Sequence, residues 1–184
     1  MIRDMTRGNI TRHLVGFSVP IILGNLFQLA YNAVDSIVVG RFAGTGALAA
    51  VGTANPVMNI IILGVSGLCI GASVLMSEYF GARDTEKLRR EFAATLFLGL
   101  FFSAAVLALG LPLAGPLLRL LNVPDEIFPQ ARAYLCIIFL GMPFTFVYNA
   151  YAAAMRSVGD SRTPIRFLAL ASLLNAGLDV AFVA

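Results

Sequence analysis

The chain has 184 residues, of which 59% are hydrophobic and only 12% are charged. Its mean hydropathy of +0.85 excludes an ordinary water-soluble domain, in which about a quarter of the residues are charged. Thirteen Lys and Arg residues against ten Asp and Glu give a formal net charge of +3, but the charges lie in short gaps between apolar runs. No basic face forms, so we expect no nucleic-acid partner.

Five apolar stretches fill nearly the whole chain, and each reaches the roughly 20 residues that cross ~30 Å of hydrocarbon as a helix. They lie at 14–40, 52–77, 92–118, 133–155 and 165–184. The first is too long for the apolar core of a secretory signal, so we interpret it as a retained span. The sequence therefore predicts an all-α, multi-pass integral membrane protein. Because the fifth stretch runs to Ala184 without a polar tail, we expect the chain to be a fragment.

Positive charges indicate which helix ends face the cytoplasm. Ten Lys and Arg lie in the N-terminal segment and in the connectors after the second and fourth spans, against three in the other connectors. We therefore predict a cytoplasmic N-terminus in the cell (inner) membrane, with the fifth span running outward.

The second span contains small residues at the spacing that lets membrane helices approach closely. Gly64, Gly67, Gly71 and Ser73 include a Gly-x-x-x-Gly pair. We interpret this pattern as helix packing alone.

A stripe of polar residues runs along one face of the first span. Asn25, Gln28, Asn32 and Asp35 are spaced three, four and three residues apart, so they fall within an arc of about 80° on one helix face. Because such a stripe is costly against lipid, we predict that it faces other helices or a wet cavity. A straight helix counted from Arg12 would put Asp35 ~35 Å along, near the outer boundary, unless the helix begins inside the cytoplasm or is tilted.

Asn175 and Asp179 share one face of the fifth helix, and Asp179 lies ~20 Å along it from Arg166, inside the hydrocarbon. A carboxylate and an amide offer oxygen ligands to a hard cation, or a carboxyl group that holds a proton. The alternative is a hydrogen-bonded pair that only fixes helix packing.

Thr145 and Asn149 repeat this spacing in the fourth span, beside Tyr148. They could complete a hydrogen-bonding network with the fifth helix, although Asn149 is only ~10 Å from the basic end of its helix and so lies lower than Asp35. Packing across helices would explain Thr145 and the tyrosine equally well.

The sequence shows no catalytic constellation. His13 has no nucleophile or metal partner near it, and no Gly-rich phosphate loop follows a strand. We expect neither an enzyme nor a cofactor.

Several passages together resemble the N-terminal part of multidrug and toxic compound extrusion (MATE) transporters. They are the early Pro20, DSIVVGRFAGTGALAAVG from Asp35, EYFGARDTEKLRR from Glu78, AMRSVGDSRTP from Ala154 and LNAGLDV from Leu174. The resemblance covers essentially the whole chain. It implies a twelve-helix protein of two six-helix lobes, in which residues 1–184 supply five helices of an incomplete N-terminal lobe. Its partner would be the missing C-terminal lobe of the same chain.

The resemblance further implies an antiporter in the lipid membrane that exports small organic cations or amphipathic drugs by alternating access, in exchange for H⁺ or Na⁺. The predicted proton or Na⁺ site matches residues that line the N-lobe cation site in members that have one: Asp35, Asn149, Asn175 and Asp179. The predicted cavity lining comes from the polar residues of the first and fourth spans: Gln28, Asn32, Thr145 and Tyr148.

Two other functions stay open. A lipid-linked oligosaccharide flippase of the same superfamily would carry an anionic pyrophosphate and would need Arg or Lys facing the cavity, whereas the mid-span charges here are acidic. A membrane scaffold subunit would use the polar stripe only to order its helices.

Overall fold

The computed structural model describes residues 10–183, and this part of the chain is all-helical. Five α-helices follow one another: α1 (Ile10–Val38), α2 (Gly44–Gly81), α3 (Thr85–Leu120), α4 (Phe128–Ser157) and α5 (Arg162–Val183). A π-helical turn, Val39–Ala43, joins α1 to α2 where the sequence suggested a longer connector. The predicted all-α fold is confirmed, and each predicted span corresponds to one helix.

Four segments of the described chain are long and apolar enough to cross a membrane. They are Ser18–Phe42, Gly44–Gly81, Thr85–Leu120 and Phe128–Ser157. Helix α5 has 22 residues and is not among these four. Its assignment as a span rests on the sequence.

The helices extend beyond the apolar stretches because capping, and not hydropathy, decides where a helix ends. Helix α3 begins at Thr85 and not at residue 92. The carboxylate of Asp84 accepts a hydrogen bond from the Lys87 backbone N–H at 3.0 Å, and the Lys87 ammonium lies 3.1 Å away. Both groups hold the pKa of Asp84 below its usual value, and the hydrogen bond from the backbone N–H contributes more than the one from the ammonium.

Helices α2, α3 and α4 each end in the same tight turn. An N–H donates to the carbonyl five positions earlier: Asp84 to Tyr79 (2.9 Å), Val123 to Leu118 (3.1 Å) and Asp160 to Met155 (2.9 Å). The residue before each donor has a left-handed backbone: Arg83 (φ 60°), Asn122 (φ 53°) and Gly159 (φ 82°). This pattern is a Schellman cap, which satisfies the last carbonyls of a helix and reverses the chain within a few residues.

Helices α2, α3 and α4 pack against one another as an antiparallel three-helix bundle, and α1 packs chiefly on α5. Because neighbouring helices alternate in direction, the α2–α3 and α4–α5 connectors lie at one end of the molecule, which we call the basic end. Seven basic residues lie in or near these two connectors: Arg83, Lys87, Arg89, Arg90, Arg156, Arg162 and Arg166.

Two glycines of α3 accept aromatic rings of α4. The buried ring of Phe146 occupies the space that a Cβ at Gly99 would need, and a Cβ at Gly110 would lie 2.8 Å from the ring of Phe139. Hydrogen is the only substituent that fits at Gly99 without moving a buried ring. These two contacts set the distance between α3 and α4.

The Gly-x-x-x-Gly pair of α2 makes no such contact within residues 10–183, contrary to the prediction. No atom lies within 4 Å of a Cβ position at Gly67 or Gly71. Helix α3 approaches α2 instead at Gly64, where the ring of Phe102 would lie 3.3 Å from a Cβ. Toward the basic end, α2 and α3 are separated by a cavity of about 350 Å³, which we call the α2–α3 groove. Its lining consists mainly of small residues and also includes Glu91.

Asp160 caps the start of α5. Its carboxylate accepts hydrogen bonds from the backbone N–H groups of Arg162 and Thr163, both at 3.1 Å, and from the Thr163 hydroxyl at 2.7 Å. Burial on its own would raise the pKa of Asp160, but the hydrogen bonds that its carboxylate accepts, chiefly those from Thr163, outweigh it and lower the pKa to about 2.

In the complete protein we expect Gly99→Ala to lower stability by about 1–3 kcal/mol, because the new methyl group overpacks a buried ring. Gly67→Ala is the matched control, since open space surrounds that position, and a helical Ala there should be neutral or stabilising by up to about 1 kcal/mol. Thermal unfolding in detergent measures both. Equal effects of the two substitutions would refute the packing contact.

We expect Asp160→Asn to lower the unfolding temperature at pH 7 by an amount that shrinks as the pH falls from about 4 to about 2. The pKa of Asp160 is lowered from 3.8 to about 2, so the ionised cap contributes fully above the ordinary pKa, and this contribution is lost as the pH falls through the folded-state value. Unfolding temperatures of both proteins across this range test the cap. Asp125→Asn in the exposed α3–α4 connector is the control, and a difference that stays constant with pH would argue against the cap.

Candidate functional site

The polar stripe of α1 is uncovered in this chain. Asn25, Gln28 and Asn32 are exposed, and α1 packs chiefly on α5. The side chain of Asp35 lies outside the described part of the structure, although its backbone belongs to α1. Within the described residues the stripe therefore does not face another helix, and the wet cavity stays a prediction.

A single contact fixes the relative height of α1 and α5, which both run away from the basic end. A Cβ at Gly24 would lie 3.1 Å from Cγ1 of Ile165, so these two residues lie level. Equal steps along the two helices bring the backbone of Asp35 to a height between Asn175 and Asp179. This height is consistent with a helix α1 whose first turns lie outside the hydrocarbon. If the membrane-spanning part of α1 began at Arg12, Asp35 would lie near the outer boundary instead.

Asn175 contains a buried oxygen atom that lacks a hydrogen-bond partner. Its Oδ1 exposes less than 1 Å² and accepts no hydrogen bond within the described part of the chain. An unpaired buried carbonyl oxygen costs about 1–3 kcal/mol, a cost that a bound cation or a proton donor would remove. Asp179 follows one turn later on α5, and its side chain lies outside the described residues.

The polar residues of α4 bond to their own helix. The Thr145 hydroxyl donates to the Gly141 carbonyl at 3.2 Å, and Nδ2 of Asn149 donates to the Thr145 carbonyl at 2.8 Å. Both side chains are half-buried. These bonds do not engage the Asn149 amide oxygen, which stays available as an acceptor.

Asn149 lies nearer the basic end than Asn175. One pocket between α4 and α5 is lined by Tyr148 together with Phe167, so these two residues lie at similar heights on antiparallel helices. From that level Asn175 is about 12 Å farther from the basic end. The structure thus brings the backbone of the two aspartates and Asn175 to within about one turn of each other and leaves Asn149 about two and a half turns lower than Asn175.

The pocket just mentioned, which we call the α4–α5 pocket, has a volume of about 350 Å³. It is lined by Tyr148, Tyr151, Ala152, Met155, Pro164 and Phe167. The ring of Tyr151 meets that of Phe92 edge to face, with centroids 5.1 Å apart and an interplanar angle of 71°. Tyr148, which the sequence predicted to line a cavity, lies in the wall of this pocket and is 41% exposed.

The sequence analysis missed Arg156, which it counted as a connector residue. The structure places Arg156 in the last turn of α4, half-buried, with its guanidinium close enough to act electrostatically on Cys69 of α2 and on Tyr148. Arg156 directly follows Met155, which lines the α4–α5 pocket, and lies one turn beyond Ala152 of the same wall. The Gly159 helix stop, three residues later, is the sequence signal that could have placed it on the helix.

The comparisons with known proteins agree on one family. The MatE family model matches residues 20–181. The chain is 35% identical over 98% of its length to "Probable multidrug resistance protein YpnP" of Bacillus subtilis (strain 168). It is 28% identical over 92% of its length to the "FAD transporter" of Shewanella oneidensis. Among solved structures, that of the MATE multidrug transporter DinF-BH matches 98% of the chain with a TM-score of 0.90 at 29% identity.

The chain is much shorter than these proteins. It covers 40% of the Bacillus protein, 37% of the Shewanella protein and 40% of the solved structure. It therefore spans about two fifths of the length of the relatives that it matches.

In the complete protein we expect Asn175→Leu to leave the unfolding temperature in Na⁺-free buffer unchanged or higher, because it removes an unpaired buried acceptor. Asn149→Leu is the matched control and should cost about 0.5–1.5 kcal/mol, since it breaks a made hydrogen bond. Thermal unfolding in detergent compares the two. A loss of stability with Asn175→Leu that equals the loss with Asn149→Leu would show that Oδ1 is already satisfied.

Proposed function

The chain belongs to the MatE family of multidrug transporters, and on that premise we propose that the complete protein is a cation-coupled exporter of cationic and amphipathic compounds. Residues 1–184 would form most of the first lobe. The sixth helix and the second lobe would come from the rest of the protein, since alternating access requires two halves that move about a shared site.

The buried Oδ1 of Asn175 is the observation that carries the coupling part of this proposal. It lacks a partner among the described residues, and the backbone positions of Asp35 and Asp179 lie within about one turn of its height. Two carboxylates and an amide are oxygen ligands suited to Na⁺, and a carboxyl group held away from water readily keeps a proton. An ion that competes with cargo for these groups would couple its gradient to export. The coupling ion is H⁺ or Na⁺.

The exposed stripe of α1 supports a water-filled path beside this site. Asn25, Gln28 and Asn32 have no cover from the other described helices, and amide groups are costly against lipid. We infer that this face borders the space between the two lobes. Asn149 and Thr145 would extend the same polar surface toward the basic end.

The distribution of charge supports the orientation. The basic end carries most of the Lys and Arg residues, so it would face the cytoplasm together with the N-terminus, in the cell membrane. Cargo would then enter at the basic end and leave at the opposite one.

The alternatives from the sequence make different demands on these residues. A scaffold subunit would need the polar side chains only for packing and would be indifferent to their ionisation. A flippase or another transporter of anionic cargo would need a cation inside the protein, and half-buried Arg156 is a candidate. The name of the Shewanella relative, "FAD transporter", is a reason to keep anionic cargo as an alternative.

In cells that express the complete protein, we expect Asp35→Asn and Asp179→Asn each to reduce gradient-driven efflux of a cationic rhodamine dye to the level of the empty vector. The substitutions keep shape and hydrogen bonding but remove the ionisable group, so protein levels in the membrane should stay the same. Fluorescence of the loaded cells after energisation measures efflux.

Asp125→Asn in the exposed α3–α4 connector is the matched control and should leave efflux intact. Normal efflux in both test variants would remove the coupling role and favour the scaffold. Loss of efflux together with loss of protein from the membrane would assign these residues to folding instead.

A further inference from the structure

The α4–α5 pocket has aromatic walls that the other described helices leave partly exposed. Tyr151 is held by its edge-to-face contact with Phe92, while Tyr148 is 41% and Phe167 57% exposed. The volume of about 350 Å³ falls within the range of small-molecule sites, and such sites combine an apolar lining with a few polar groups. An aromatic ring system therefore fits this space and would stack on these walls.

The composition of the pocket argues against a seat for another helix. Helix contacts in membranes are built from small residues that allow backbones to approach. The α2–α3 groove has that composition, with Gly67, Gly71 and Ala72 in its lining. The α4–α5 pocket has three aromatic rings and a flexible methionine instead, a lining that suits ligands of varied shape.

Arg156 adds a charge beside this pocket. It directly follows Met155 of the pocket wall and lies one turn beyond Ala152, and its positive charge acts electrostatically on Tyr148. Among the described residues no carboxylate pairs with it. The nearest acidic residue in sequence, Asp160, directs its carboxylate to the first turn of α5. A half-buried guanidinium without a counter-ion is a strong donor for a carboxylate, sulfonate or phosphate, which it can bind through two parallel hydrogen bonds.

We propose that the α4–α5 pocket binds aromatic compounds that carry an anionic group, with the ring against Tyr148, Tyr151 and Phe167 and the anion on Arg156. The inference rests on the proposed function only in treating the bound molecule as cargo. It places a binding site for aromatic anions between α4 and α5, near the basic end.

Three probes with one ring system and different charges test this site: 1-naphthyl phosphate, neutral 1-naphthol and cationic 1-naphthylmethylammonium. We measure their binding to the complete protein in phosphatidylcholine nanodiscs by titration calorimetry, with empty nanodiscs as the blank. We expect the phosphate to bind at least about tenfold more tightly than naphthol, the size expected for charge-assisted hydrogen bonds. The ammonium compound should bind most weakly.

Variants separate the ring contact from the charge contact. Arg156→Gln should abolish the preference for the phosphate while leaving the affinity for naphthol unchanged, and Arg156→Lys should keep part of the preference. Tyr151→Leu should weaken all three probes by a similar factor. Arg166→Gln is the matched control, because it removes a positive charge at the same end on an exposed residue outside the pocket. The affinity for naphthol also verifies that each arginine variant is folded.

Several outcomes would overturn the inference. Equal binding of the three probes would exclude a role for Arg156, and an equal effect of Arg166→Gln would reduce the preference to surface potential. Loss of naphthyl phosphate binding in nanodiscs that contain phosphatidylglycerol would assign the site to a lipid headgroup.

The test is independent of the transport proposal, since binding needs no ion gradient. A protein that exports the rhodamine dye but shows no phosphate preference overturns this inference alone. A protein that shows the preference but exports nothing overturns the proposed function and leaves the binding site standing.

Discussion

Helices in hydrocarbon gain little from burying apolar surface, so their association depends on close van der Waals contact. In this chain the contact is made where Phe146 and Phe139 of α4 lie against Gly99 and Gly110 of α3. Because these rings fix the rotation of α4, Tyr148 is turned about 200° from Phe146 and lies on the opposite face. The α4–α5 pocket lies on this face of α4, and Tyr151 at its edge keeps a contact with Phe92 of α3.

The polar functions are divided between two groups of helices. Asn175 and the backbone positions of the two aspartates belong to the α1 and α5 pair, whereas the tyrosines and Arg156 belong to the three-helix bundle. The π-helical turn after α1 and the Asp160 turn before α5 link the two groups. At Gly44 the backbone has φ 87°, a conformation that favours glycine and breaks the helical path between α1 and α2. The two groups meet at the α4–α5 pocket, where Pro164 and Phe167 of α5 complete the wall.

The number and order of the helices follow from hydropathy, because twenty apolar residues admit few other structures in a membrane. Their ends do not, since the caps at Asp84 and Asp160 depend on hydrogen bonds that hydropathy ignores. The level of Asp35 relative to α5 also needed the structure, because it depends on one tertiary contact at Gly24. Arg156 was not predicted as a site residue for a related reason. In the sequence a positive charge at a helix end indicates only topology, and the residues around it become known from the structure.

The turn after α2 has a consequence for how the chain inserts into a bilayer. Arg83 adopts the left-handed backbone that Gly159 adopts in the matching turn after α4. For a residue with a Cβ this conformation costs roughly 1–2 kcal/mol. Beside an anionic leaflet a positive charge gains about 1 kcal/mol. The two quantities are of similar size and opposite sign, so an anionic membrane surface beside this turn would offset the backbone cost of Arg83. The lipid composition of that surface would then enter the local stability of the turn.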